Sequence, residues 1–186
     1  MWFGYVAVAS VDASTAAVTA QGGQVYFQPT DIPGVGRFAV VADPQGAAFA
    51  LFQGTGGGDQ PHDQESLGHV GWHELHAGNL EAAMAFYGTL FGWERKDAMD
   101  MGEMGPYQMF GIAGHTLGGM MKNPADSPAP PHWNYYFNVA SIDKAVEAVK
   151  AAGGRVVMGS QEVPGGQFII AGIDPQGAAF ALLGGK

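Results

Sequence analysis

Short apolar runs separated by glycine and proline dominate this chain of 186 residues. The clearest series occupies its C-terminal third, where an aromatic run at 133–139 predicts a strand and a one-sided apolar pattern at 142–149 predicts a helix. Ser141 is placed to cap that helix, and Gly153 and Gly154 follow its end. The order of elements is βαβββ, with further strands predicted at 155–158, 166–173 and 178–183.

The chain uses this βαβββ unit three times. Residues 2–52 align without a gap to residues 133–183, and 23 of those 51 pairs are identical. Between the two copies, residues 68–121 follow the same order, with a helix that Asn79 caps and Gly92 ends. We therefore predict an α+β protein of repeated βαβββ modules. The predicted parts are one module at 1–53, a glycine-rich linker at 54–66, and a domain at 67–186 made of modules at 67–121 and 132–186.

Charge and composition exclude several classes of partner. Eight basic and seventeen acidic residues give a formal net charge of −9, so we expect neither nucleic acid nor a membrane surface as a partner. No cysteine is present, which excludes disulfides and thiolate chemistry and predicts a cytoplasmic protein. The apolar start of the chain lacks a basic flank and meets Asp12 early, as expected of a strand rather than a signal peptide.

Two motifs link the chain to a known family. Residues 72–93 read WHELHAGNLEAAMAFYGTLFGW, a strand followed by a helix that bears Phe-Tyr and ends in Phe-Gly. Residues 174–177 form an Asp-Pro-Gln-Gly turn before a last apolar strand. Together these motifs resemble the vicinal oxygen chelate superfamily, which includes glyoxalase I, bleomycin-resistance proteins and extradiol dioxygenases.

The resemblance implies a fold in which two βαβββ modules pair and form a half-open cup of sheet around a ligand. Residues 67–186 supply one such pair, an opening module followed by a closing module. Residues 1–53 resemble a closing module without an opening module before it. Because an unpaired, partly apolar sheet face is a liability, we expect a second copy of the chain to cover it in a homodimer.

The resemblance also indicates where the family's divalent metal (Zn, Ni, Fe or Mn) would be held. Its ligand places fall on Trp72, Asn134 and Ala181, and near residues 118–120. Indole and alkyl groups do not ligate such a cation, and an amide is a weak ligand. We therefore expect no cofactor at the usual position.

Glu74 and His76 offer an alternative set of polar groups. Residues alternate between faces along a strand, so both share a face with Trp72. With His115 or His132 as a third ligand they could hold a displaced metal, and otherwise we expect them to hydrogen-bond each other or a ligand. Asn134, Tyr136 and Asn138 share one face of the strand at 133–139 in the same way. These three bind a ligand in one interpretation and form a network between strands in the other.

These residues leave three functions open. The first is the binding of a small organic molecule by a glyoxalase-like or bleomycin-resistance-like protein, without the usual metal. Its predicted ligand-binding residues are Trp72, Glu74, His76, Asn134, Tyr136 and Asn138. The second is a metal-dependent glyoxalase-like lyase or dioxygenase that uses Glu74 and His76 as catalytic residues or displaced ligands. The third is a dimerising subunit without catalysis.

Overall fold

The structure, a computed structural model, describes residues 2–56, 63–125, 127 and 129–186. These residues form twelve strands, three α-helices and one 3-10 helix. A strand, a helix and three further strands follow one another three times along the chain. The α+β class and the repeated βαβββ order are therefore confirmed. The linker predicted at 54–66 lies partly outside the described residues.

The N-terminal module forms a four-stranded sheet with one helix. It comprises β1 (Tyr5–Ala7), α1 (Val11–Ala20), β2 (Gln24–Ile32), β3 (Gly36–Ala42) and β4 (Ala48–Gly54). Ser10 is the N-cap of α1, because its Oγ accepts a hydrogen bond from the Ala13 N–H at 3.2 Å. The strand order is β1-β4-β3-β2, with β1 parallel to β4 and the other neighbours antiparallel. β1 is thus an outer strand.

The middle module repeats this order around a longer helix. It comprises β5 (Val70–Ala77), α2 (Leu80–Phe91), β6 (Glu94–Asp100), the 3-10 helix (Gly102–Met104), β7 (Pro106–Ile112) and β8 (His115–Lys122). As predicted, Asn79 caps α2, with its side chain accepting from the Ala82 N–H at 3.0 Å, and Gly92 ends it at a φ of 71°.

The C-terminal module comprises β9 (His132–Val139), α3 (Ile142–Ala151), β10 (Arg155–Val163), β11 (Gln167–Ile173) and β12 (Ala179–Gly184). Ser141 caps α3 as predicted, with its Oγ accepting from the Lys144 N–H at 3.4 Å. The sequence predicted that β10 would end at residue 158. It instead continues through a register shift after Met158 and pairs with β11 as far as Val163.

Strands of the middle and C-terminal modules belong to an eight-stranded sheet in the order β10-β11-β12-β9-β5-β8-β7-β6. The chain divides into two compact units. Within the described residues, the N-terminal unit contains 3–56, 74–125, 127 and 129–133, and the C-terminal unit contains 2, 63–73 and 134–186. The domain boundaries predicted from the sequence stay predictions.

The core of the N-terminal unit joins the N-terminal module to α2 of the middle module. Phe49 on β4 contacts Tyr87 and Phe91 on α2, with ring centroids 5.6 and 5.8 Å apart. Val11 and Val18 of α1 are fully buried in the same cluster. The helix-bearing face of the N-terminal sheet is therefore covered within its own chain.

The C-terminal unit has a smaller set of buried residues around α3. Ile142 at the start of that helix and Ile170 on β11 are fully buried. In neither unit does any helix of the described residues have the length and apolar character needed to cross a membrane.

Candidate functional site

Glu74 and His76 lie on β5 of the N-terminal unit, on the face opposite its core. Their strand neighbours Leu75 and Ala77 are almost fully buried and belong to that core. Because side chains alternate between the two faces of a strand, Glu74 and His76 point to the other side. Glu74 and His76 therefore share one face of β5, as the alternation along the strand predicts.

Two side chains hydrogen-bond to the Glu74 carboxylate, one at each oxygen. His76 Nε2 donates to Oε1 at 3.0 Å, and the Tyr107 hydroxyl donates to Oε2 at 2.9 Å. An ionised carboxylate only accepts, so both partners must be the donors. The side chains of Glu74 and His76 are 11% and 18% exposed. A largely buried carboxylate is thereby held by two donors from two strands.

Gly119 on β8 provides the space for Tyr107. A Cβ atom at Gly119 would lie 2.1 Å from the Tyr107 ring, so no larger residue fits while the ring stays there. The sequence placed a family ligand position near residues 118–120. In the structure this position instead receives the side chain that holds Glu74.

His132 adds a second imidazole to the group. Its ring stacks on that of His76, with centroids 4.8 Å apart and an interplanar angle of 6°. Burial lowers the pKa of His132, opposed by the Pro130 carbonyl, lowered further by His76 and opposed again by Glu74, and the net shift favours the neutral ring. Its Nδ1 lies 2.8 Å from the Pro130 carbonyl oxygen and must donate to it, which leaves Nε2 as the acceptor nitrogen. We call Glu74, His76, Tyr107 and His132 the Glu74 cluster.

As the structure arranges them, the two imidazoles of the Glu74 cluster do not converge on one divalent ion. Ligand bonds of about 2.1 Å at right angles would separate two ligand atoms by about 3 Å, so the Glu74–His76 distance alone permits an ion. Whether these residues can hold an ion therefore depends on a third ligand. His132 cannot supply it, because imidazole lone pairs lie in the ring plane and the planes of the two rings are nearly parallel.

His115, the other proposed third ligand, is exposed at the start of β8, where it pairs with Ile112. It lies four residues from Gly119, which corresponds to roughly 13 Å along a strand. Across the ranges that the structure describes, no three His, Cys, Asp or Glu side chains are grouped as a metal site requires. The structure therefore does not join His115 to Glu74 and His76.

The other predicted site residues belong to the C-terminal unit. Trp72 on β5 and Asn134 on β9 are partly exposed, and Tyr136 is 7% exposed. The Asn138 amide donates to the carbonyl oxygens of Gln64 and Ser66, at 2.7 and 3.2 Å. Asn138 therefore ties the segment before β5 to β9, which is the network interpretation of this residue.

Three hydrogen-bonded side chains in the N-terminal unit form a polar network that the sequence did not predict. The Tyr87 hydroxyl donates to Asp43 Oδ2 at 3.1 Å and accepts from Trp133 Nε1 at 3.0 Å. Burial raises the pKa of Asp43, opposed by hydrogen bonds from Ala47, Gln45, Tyr87 and Gly46. Tyr87 is fully buried, and its hydroxyl connects residues of all three modules.

A cleft of about 450 Å³ lies on the N-terminal module, between α1 and the strands β2 and β3. Arg37 forms two hydrogen bonds with the Asp12 carboxylate and one with Asp31. Thr15 Oγ1 is buried there without a hydrogen-bond partner among the described residues. Six of the eight lining residues differ from their counterparts in the C-terminal copy. This difference between the two copies is visible in the sequence and could have drawn attention to the cleft. The lining residues are Asp12, Thr15, Ala16, Thr19, Val25, Gln28, Pro29 and Arg37.

Known proteins similar to the chain point to one family. The family model described as the Glyoxalase/Bleomycin resistance protein/Dioxygenase superfamily matches residues 66–182. CFP32 of Mycobacterium bovis, a protein named as a glyoxylase, is 33% identical over 188 residues, which cover 98% of this chain and 69% of CFP32. The anthracycline biosynthesis protein DnrV of Streptomyces peucetius is 32% identical over 183 residues, covering 98% of this chain and 65% of DnrV. The chain thus spans about two thirds of the length of these relatives.

A solved structure supports the fold. The Mn(II)-bound glyoxalase from Novosphingobium aromaticivorans superposes with a TM-score of 0.66 at 20% identity, covering 97% of this chain and 61% of that protein. At this identity the likeness concerns the fold, and the metal belongs to that protein.

Proposed function

Because the chain belongs to the Glyoxalase/Bleomycin resistance protein/Dioxygenase superfamily, we propose that it binds a small organic molecule through the Glu74 cluster, without a metal in that cluster. The observation that carries the proposal is the hydrogen bonding of Glu74. Each of its oxygens already accepts from a different side chain, and this fixes the carboxylate on one face of β5.

The chemistry of the cluster favours a planar molecule that carries hydroxyl groups. A carboxylate accepts hydrogen bonds and donates none, so Glu74 favours a ligand whose hydroxyl groups donate to it. The acceptor Nε2 of His132 offers another site, and the stacked imidazoles form a flat surface. A relative named for anthracycline biosynthesis supports this class, because anthracyclines are planar and bear phenolic hydroxyls.

Fluorescence titration with an anthracycline, in the presence of EDTA, tests the proposal. We expect saturable binding by the wild type and an affinity about tenfold lower for Glu74→Gln, because the uncharged amide accepts hydrogen bonds less strongly. Glu81→Gln is the matched control. Glu81 is exposed on α2 and bonds Arg95, so its variant should bind like the wild type.

Circular dichroism must show that Glu74→Gln folds as the wild type does. Equal binding by a folded Glu74→Gln and the wild type would contradict a role for the Glu74 cluster. Binding that requires an added divalent ion would instead favour the metal-dependent alternative.

A further inference from the structure

We infer that the cleft between α1 and the strands β2 and β3 is a second binding site, and that it takes a small uncharged molecule rich in hydroxyl groups, such as a monosaccharide. Its volume of about 450 Å³ lies in the range of small-molecule sites. None of its lining residues belongs to the Glu74 cluster, so the inference does not depend on the ligand proposed above.

Thr15 is the lining residue that points to a ligand. It lies in the buried stripe of α1 between Val11 and Val18, and it is 7% exposed. Across the part of the chain that the structure describes, its Oγ1 has no hydrogen-bond partner, although buried hydroxyl groups are normally paired. Threonine in a helix divides between two χ1 rotamers, so this hydroxyl can turn toward a molecule in the cleft. A ligand hydroxyl would supply the missing partner.

The near copy of this module lacks that hydroxyl. Residue 15 corresponds to Val146 on α3, an aliphatic side chain of the same shape at the same place in the helix. The fold of the module therefore does not require a hydroxyl at this position, and burying one without a partner is unfavourable. Packing of the module thus leaves the Thr15 hydroxyl unexplained, whereas a ligand accounts for it.

Short side chains on α1 give the cleft its space. Ala16 and Thr19 line it, where the C-terminal copy has the longer and charged Glu147 and Lys150. Residues three and four apart lie on one face of a helix, so all four lining residues of α1 face the cleft together. Val25 of β2 adds an apolar contact, which suits the carbon skeleton of a hydroxylated molecule.

The charges beside the cleft disfavour an ionic ligand. Arg37 donates two hydrogen bonds to Asp12 and one to Asp31, at 2.8 to 2.9 Å. The hydrogen bonds from Arg37 hold the pKa of Asp12 below its usual value, so this carboxylate is ionised at pH 7. Two carboxylates outweigh one guanidinium and repel an anion, while the guanidinium itself repels a cation. A guanidinium has five N–H donors, so two remain for the oxygen atoms of an uncharged ligand.

The same three residues connect the walls of the cleft. Asp12 lies on α1, Asp31 on β2 and Arg37 on β3, and Asp31 pairs directly with Arg37 across the two strands. These ion pairs link the helix to both strands before any ligand is present. Walls that are already ordered lose little freedom on binding, which favours affinity.

Saturation-transfer NMR of the whole chain with D-glucose, D-mannose and D-ribose tests the inference. We expect saturable binding of at least one of these sugars. Its dissociation constant should be about millimolar, because four of the eight lining residues are exposed and contacts are few. D-glucuronate, an anionic sugar of the same size, should bind more weakly than D-glucose.

Thr15→Val introduces the residue of the C-terminal copy. It should raise the dissociation constant at least about fivefold, because it removes the hydroxyl that pairs with the ligand. Without sugar its melting temperature should equal or exceed that of the wild type, since valine has the same shape and leaves no unpaired group. A threonine that only stabilised the fold would lower the melting temperature and leave the affinity of the folded protein unchanged.

Thr55→Val is the matched control. Thr55 is exposed after β4, and its hydroxyl donates to the Val35 carbonyl at 3.1 Å, so this variant should bind like the wild type. Absence of saturable binding by all three sugars would overturn the inference. So would equal affinity of Thr15→Val and the wild type, tighter binding of D-glucuronate than of D-glucose, or sugar binding that is lost in Glu74→Gln and kept in Thr15→Val.

Discussion

Asp43 and Asp174 hold the same place in two identical nine-residue runs, yet their surroundings differ. In each turn Oδ1 accepts from the backbone N–H groups two and four residues later, at 2.8 to 2.9 Å. Asp43 is 1% exposed and also accepts from Tyr87, whereas Asp174 is only partly buried. Local sequence thus predicts the turn, and the contact with α2 determines its burial.

Replacing each aspartate by alanine should distinguish the stability that the turn contributes from the additional stability that burial of Asp43 contributes. Asp43→Ala leaves two backbone N–H groups and the Tyr87 hydroxyl without their acceptor inside the core, so we expect a loss of about 3 kcal/mol in the free energy of unfolding. Asp174→Ala should cost about 1 kcal/mol, because water can reach that turn. Urea unfolding measures both, and equal losses would contradict a structural role for the Tyr87 contact.

The sequence predicted part of the Glu74 cluster. Alternation along β5 placed Glu74 and His76 on one face, and without a metal they were expected to hydrogen-bond each other or a ligand. The structure contains this bond. The Tyr107 bond could not be predicted, because it joins positions 33 residues apart and depends on the register of separate strands.

At the scale of elements, local signals predicted the helix ends well and the outer strands poorly. Asn79, Ser141 and Gly92 cap their helices through contacts with nearby residues, which is why the sequence reveals them. The outer strands β2, β6 and β10 all contain register shifts. A bulge interrupts the alternation on which the strand predictions depend, so the strand predicted at 155–158 ended too early for β10.

Two equivalent glycines test how tightly each helix packs on its sheet. A Cβ atom at Gly23 would lie 2.6 Å from both the Ala42 carbonyl oxygen and Val18 Cγ1, whereas at Gly154 the nearest atom would be 3.0 Å away. We expect Gly23→Ala to lower the free energy of unfolding by about 2 kcal/mol, as overpacking does, and Gly154→Ala to cost less than half of that. Thermal unfolding followed by circular dichroism compares them. A larger loss for Gly154→Ala would contradict this packing.

At the scale of the whole molecule, the repeat predicted three modules and the motifs at 72–93 and 174–177 indicated the family, but neither predicted the contacts between modules. Residues 43, 87 and 133 come from three modules, and the bonds between them form inside one compact unit. The sequence treated the N-terminal module as unpaired. In the structure its helix-bearing face packs against α2.

Metal content, measured together with ligand affinity, tests most directly whether the Glu74 cluster works without a metal. Untagged protein incubated with Mn²⁺, Fe²⁺, Ni²⁺ or Zn²⁺ and then freed of unbound ion should retain far less than one equivalent per chain. Its affinity for the anthracycline should be the same with and without EDTA. One equivalent of metal per chain that is lost in Glu74→Gln, together with binding abolished by EDTA, would contradict the proposed function.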